Sequence, residues 1–222
     1  MSKKQWIKLG IQYVMFTAGL AIMAFACYMM IIANLGVAPW EVLNIGLYQT
    51  LGLTIGTWAQ LVGIFIIIIS YLIARIRPGI GTILNMLFFG WFIVLFIWLD
   101  LVPTFEGFVQ NFLLFLVSLV LISIGIGMYL SSRLGAGPRD TFMIAIHERK
   151  GWSIQIVRSI IEIVALTLGW LLGGPVHIGT ILVALLTGPM IQHTIPFFVN
   201  IMKKLEKIGG EENVPLEGSF KH

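Results

Sequence analysis

The chain has 222 residues, 58% of them hydrophobic and 11% charged, with a formal net charge of +4. A soluble domain carries roughly 25% charged and 45–50% apolar residues, so this composition excludes one and calls for a lipid bilayer as solvent. One cysteine, Cys27, excludes an internal disulfide and a cysteine metal cluster, and the basic excess belongs to a membrane topology rather than to a nucleic-acid partner.

A helix needs ~20 apolar residues to cross a ~30 Å hydrocarbon core. The first such stretch is residues 7–33, headed by Lys3, Lys4 and Lys8. The phrase NLGVAPWE (34–41) interrupts it, and residues 39–51 then make a helix too short to span. That length suits a re-entrant or an interfacial segment. Two more spans follow at 57–74 and 79–99, with Arg75 and Arg77 between them, and then an acidic loop with Asp100 and Glu106. The fourth span is 108–130. The phrase RLGAGPRD (133–140) breaks it, and a second short helix covers 138–150. Spans at 153–173 and 178–199 complete the set. Residues 1–207 thus form a single membrane domain, and 208–222 a polar C-terminal tail.

Six spans, with both short helices returning to the side they left, place all 14 Lys and Arg on one face. That is the positive-inside pattern with both termini cytoplasmic. If the short helices spanned instead, Arg75, Arg77 and Arg133 would lie outside.

The chain is written twice. A shift of 99 residues lays Leu35 on Leu134, Gly36 on Gly135, Pro39 on Pro138, Glu41 on Asp140 and Gly52 on Gly151. With one residue deleted, IGTIL at 80–84 recurs at 178–182. Each half, about 7–100 and about 108–200, holds an odd number of spans. The second half therefore enters from the opposite face. The expected fold is an all-α polytopic membrane protein of six transmembrane helices, built as two inverted-topology repeats of three.

In each phrase glycine (Gly36; Gly135 and Gly137) breaks a span, and Pro39 or Pro138 restarts a helix in its first turn. Glu41 and Asp140 then face the positive end of the helix dipole. That start signal alone explains them. A ligand role is the rival reading, because half-helix N-termini at membrane depth are natural anion sites. Asn44 shares a face with Glu41, and His147 one with Asp140. Arg139 stands where the first half has Trp40, which makes it the candidate attractor of an anionic group.

In the fifth span Gln155, Arg158, Ser159 and Glu162 recur at helical spacing as one polar stripe, with Glu162 near the expected midplane. An intramembrane acid is a functional hypothesis by default, with an Arg158–Glu162 ion pair one turn apart as the structural rival. Gln60 and Asn85 are further cavity candidates, or interhelical hydrogen bonds.

Zinc-protease, Walker and nucleophile-elbow motifs are missing, so neither an enzyme nor a resident cofactor or metal is expected. The repeated LGxxPxE/D phrase, carried most specifically by LGAGPRDTFM (134–143) and supported by GTIL and Gly188-Pro189, resembles the YczE/YyaS/YitT group of bacterial integral membrane proteins. The YczE-like branch is nearest. The resemblance implies a multi-pass protein of the bacterial cytoplasmic (inner) membrane and supplies no catalytic residues. The leading functional expectation is a small secondary transporter, moving a small and by Arg139 anionic solute, with Glu162 and Asp140 carrying a proton or balancing charge. The alternative is a membrane accessory protein that acts through helix contacts with a partner. A homodimer would enlarge the small volume that six short spans enclose, although no residue specifies one.

Overall fold

The computed structural model describes residues 3–75 and 77–208. The expected tail beyond Ile208 and the side chain of Gln155 lie outside the described residues. Among those described, the chain is all-α. Its elements are α1 (Lys3–Ala33), α2 (Pro39–Leu51), α3 (Ile55–Ala74), α4 (Ile80–Leu99), α5 (Phe108–Ser131), α6 (Pro138–Lys150), α7 (Ile154–Leu171) and α8 (Ile178–Ile208). Five of them, α1, α3, α4, α5 and α8, are long and apolar enough to cross a membrane. The chain is a polytopic membrane protein.

Both short helices have the bounds their sequence signals dictate. Each has proline in its first turn, and each ends on a positive-φ glycine. The N–H of Gly52 donates to the Tyr48 carbonyl and that of Gly151 to the His147 carbonyl, closing the last helical turn. Thr54 and Ser153, equivalent in the two halves, cap α3 and α7 by accepting the backbone N–H of Thr57 and Ile156. Helix α8 runs past the expected limit of 199. Its apolar stretch ends there, but the residues up to Ile208 contain no glycine or proline and favour helix.

The packing follows the sequence duplication. The two first helices of the halves, α1 and α5, pack together most extensively. They close where Gly19 meets Gly125: a Cβ on Gly19 would stand 2.8 Å from the Gly125 carbonyl oxygen, and one on Gly125 would stand 2.7 Å from that of Gly19. Small residues permit such backbone contact. Helix α1 packs on α4 as α5 packs on α8, and α2 packs on α7 as α6 packs on α3. One pairing is broken: α3 packs on α4, whereas α7 is held by α2 and α6 and barely touches α8.

The two repeated phrases dock on each other crosswise. Leu35 of the first half accepts the Gly179 N–H at 2.8 Å, and a Cβ on Gly36 would stand 2.5 Å from the Thr180 nitrogen. In the second half, Thr82 Oγ1 donates to the Ala136 carbonyl at 2.8 Å, and a Cβ on Gly81 would collide with the Leu134 carbonyl. Each LGxxP segment is thus strapped to the IGTIL helix start of the other half. The straps share a backbone shape: Asn34 and Arg133 are left-handed (φ 51° and 59°), and Gly36 and Gly135 take φ 125° and 145°, a region that essentially only glycine visits.

Candidate functional site

The straps carry the N-termini of α2 and α6 toward each other. The Arg139 guanidinium donates to Glu41 Oε1 at 3.1 Å, and its Cζ lies 4.8 Å from the centre of the Trp40 ring. Trp40 is Arg139's own counterpart in the duplication, and Glu41 is the counterpart of Asp140. Equivalent positions meet where two related halves face each other. Glu41 is 3% exposed, and a carboxylate buried so deeply needs a cation partner. Arg139 is therefore a link between the halves. Its charge is already engaged, which differs from its expected use as a free attractor of anions.

A cavity of about 270 Å³ opens at the α6 N-terminus. Asp140 faces it and accepts a hydrogen bond at Oδ2 from the Tyr129 hydroxyl, at 2.9 Å. Across the cavity Arg158 Nε donates to Glu162 Oε1 at 2.9 Å. Asn85 of α4 also lines the wall. A Cβ on Gly137 would stand 3.1 Å from Asn85 Oδ1, so glycine there admits the amide to the helix start. A smaller cavity of about 100 Å³ adjoins the first, sharing Trp40, Arg139, Arg158 and Glu162 and adding Glu41 and Thr187.

The halves contribute unequally. By the same shift Ala59 and Gly63 of α3 are the counterparts of Arg158 and Glu162. They line the cavity too. A Cβ on Gly63 would stand 2.7 Å from Met86 Cγ. Charge comes from one half and room from the other.

Not every expected residue reaches this place. Ser159 is exposed and lines neither cavity, so among the described side chains of the α7 stripe Arg158 and Glu162 face the cavities. Gln60 makes the interhelical bond: its amide donates to the Leu87 carbonyl of α4 at 3.1 Å. His147 sits at the far end of α6, where Nδ1 bonds the Trp152 carbonyl at 2.6 Å. Asn44 is buried under α2, its Oδ1 without a partner. The restart residues Gly36, Pro39, Gly135, Gly137 and Pro138 shape the backbone of the straps.

Sequence reasoning missed Tyr129 and Trp40. Nothing in the periodicity of α5 marks Tyr129. A signal for Trp40 was present: it holds the position equivalent to Arg139 in the repeated phrase.

The comparisons agree with a membrane protein. The model of a family of unknown function (DUF6198) matches residues 10–196. The uncharacterized membrane protein YczE of Bacillus subtilis is 37% identical over 196 residues, covering 88% of this chain and 90% of YczE. An uncharacterized protein of Haemophilus influenzae is 33% identical over 193 residues, covering 87% of this chain and 85% of its own. YyaS of B. subtilis is 26% identical over 188 residues, covering 83% and 92%. No solved structure matches. With its duplicated LGxxP phrases inside the matched region, the chain belongs to the DUF6198 family, alongside the bacterial membrane protein YczE.

Proposed function

We propose that this chain is a small secondary-transporter-like protein of the bacterial cytoplasmic membrane, not an enzyme. It has six spans, the five long apolar helices together with α7, and two inverted repeats with both termini cytoplasmic. A small solute passes through the cavity where the two half-helix N-termini meet. The observation that carries this reading is that cavity. A dry, fully packed α7 stripe would have favoured an accessory protein. Instead Arg158 and Glu162 face open space beside Asp140, and intramembrane charges at a cavity mark substrate or ion paths. The crosswise straps and the paired packing of α2 on α7 and α6 on α3 support the inverted repeat. The loose α7–α8 pairing supplies a way in.

In this reading Glu162 neutralises Arg158 at the cavity wall. The test is reconstitution in liposomes with a metabolite-uptake screen, followed by Glu162→Gln. Uptake of the solute found is expected to fall about tenfold, the cost of losing a charge-assisted hydrogen bond at the cavity wall. The thermal melt should stay near that of the parent, because the pair is partly exposed. Parent-level uptake by this variant would remove Glu162 from the mechanism. A parent protein that moves nothing in the screen would favour the accessory role.

A further inference from the structure

The charges around the cavity do not balance. From α6 come Arg139 and Asp140, from α7 Arg158 and Glu162, from α2 Glu41, and from α5 the Tyr129 hydroxyl. The cavity-lining residues of α1, α3, α4 and α8 include no charged group. Across this cavity and the smaller one beside it, two guanidinium groups face three carboxylates among the described residues, Glu41 lying in the smaller. Glu41 takes Arg139 and Glu162 takes Arg158. Asp140 accepts from the neutral Tyr129 hydroxyl at Oδ2 and from the Gly137 backbone N–H, with Arg158 and Arg139 acting on it only from beyond ion-pair distance, so among the described residues it has no ion pair of its own. A second, independent feature asks for a ligand. Asn85 is 7% exposed and lines the same cavity, yet its Nδ2 has no hydrogen-bond partner. Around both, Phe89, Met23, Met86 and Met143 make the rest of the wall soft and apolar. Aromatic rings and thioethers accommodate organic cations.

We propose that the cavity binds a small monovalent organic cation, an amine or ammonium with an apolar body and a polar group for Asn85, and that it exchanges for a proton on Asp140. The exchange step rests on the transporter reading above, whereas the binding preference stands on the cavity alone. In the empty protein Asp140 holds the proton. When the cation enters, its positive charge sits at the Asp140 carboxylate and the proton leaves to solvent. The cavity charge is the same in both states, so one cation replaces one proton.

The test uses probes matched in size: benzyltrimethylammonium, benzyl alcohol and benzoate, each added to the purified full chain in nanodiscs. Titration calorimetry should detect the cation binding at least ~10-fold more tightly than the other two. In weak buffer, one proton should be released per cation bound. Affinity should rise about tenfold per pH unit until Asp140 is fully ionised. Asp140→Asn should weaken cation binding by roughly 30-fold or more and abolish proton release, while Asp140→Glu retains both. Parent-protein proton release needs no variant and keeps the test decisive if Asp140→Asn fails to fold. Preferential benzoate binding, or cation binding without proton release, overturns the proposal. Proton-linked cation binding with no flux of the cation in liposomes overturns the transporter reading and the exchange but leaves the binding preference. Flux of an anion alone overturns this proposal and leaves the transporter reading.

Discussion

Replacing Arg139 with alanine is expected to destabilise the protein by about 3–5 kcal/mol, the usual cost of leaving a buried carboxylate without its cation. The residue left behind is Glu41, 3% exposed, whose Oε1 receives the Arg139 guanidinium at 3.1 Å. Removing both charges tells a different story. In Arg139→Met with Glu41→Leu no stranded charge remains, and the cost should shrink to about 1 kcal/mol or less, because apolar replacements of buried pairs are often neutral. The pair is then strongly non-additive in a double-mutant cycle. Arg139→Lys should fall between the two: it keeps the charge and loses the planar stack on Trp40. Thermal melting in detergent reads these three variants together with the single Arg139→Met and Glu41→Leu that complete the cycle. Additive single and double effects would mean that Arg139 does not neutralise Glu41.

The second large effect lies in the straps. Gly36→Ala should cost about 3–5 kcal/mol, combining backbone strain with steric overlap. Its φ is 125°, and the new Cβ would stand 2.5 Å from the Thr180 nitrogen, a backbone atom that cannot swing away. Gly135→Ala meets the same strain at φ 145°, but its nearest neighbour is 3.2 Å off, so about 1–3 kcal/mol is expected. Gly151→Ala, at φ 69° with nothing within 4 Å, should cost about 1–2 kcal/mol. The order of melting temperatures should therefore be Gly151→Ala highest, Gly135→Ala next and Gly36→Ala lowest. Equal losses at all three would mean that the crosswise docking adds nothing to the conformational demand.

How far the sequence reached depends on the range of the signal. Helices α2 and α6 were legible to the residue because proline and the closing glycine act within one turn. The end of α8 was not, since hydropathy marks where a span stops and not where a helix does. Both repeated phrases could be read, but not that each binds the other half's helix start. Their shared offset was the only trace of that contact. Arg139 was picked out correctly as the odd residue of its phrase, and its partner was not, because Glu41 lies 98 residues away. Ser159 shows the limit of helical spacing. Its place beside Arg158 and Glu162 on a helical wheel does not tell which edge of the stripe meets the cavity, and that is set by how α2 and α6 grip α7.

Everything above rests on the two short helices meeting at their N-termini. The most direct measurement is a bifunctional thiol cross-link between Glu41→Cys and Arg139→Cys in a Cys27→Ser background, since Cys27 lines the cavity beside Glu41. Both charges are removed together, so no carboxylate is stranded. The account predicts an intramolecular adduct in high yield with a reagent long enough to replace the reach of the two side chains that now meet at 3.1 Å. Cysteines that react singly but never link, or that link only between two chains, would contradict it.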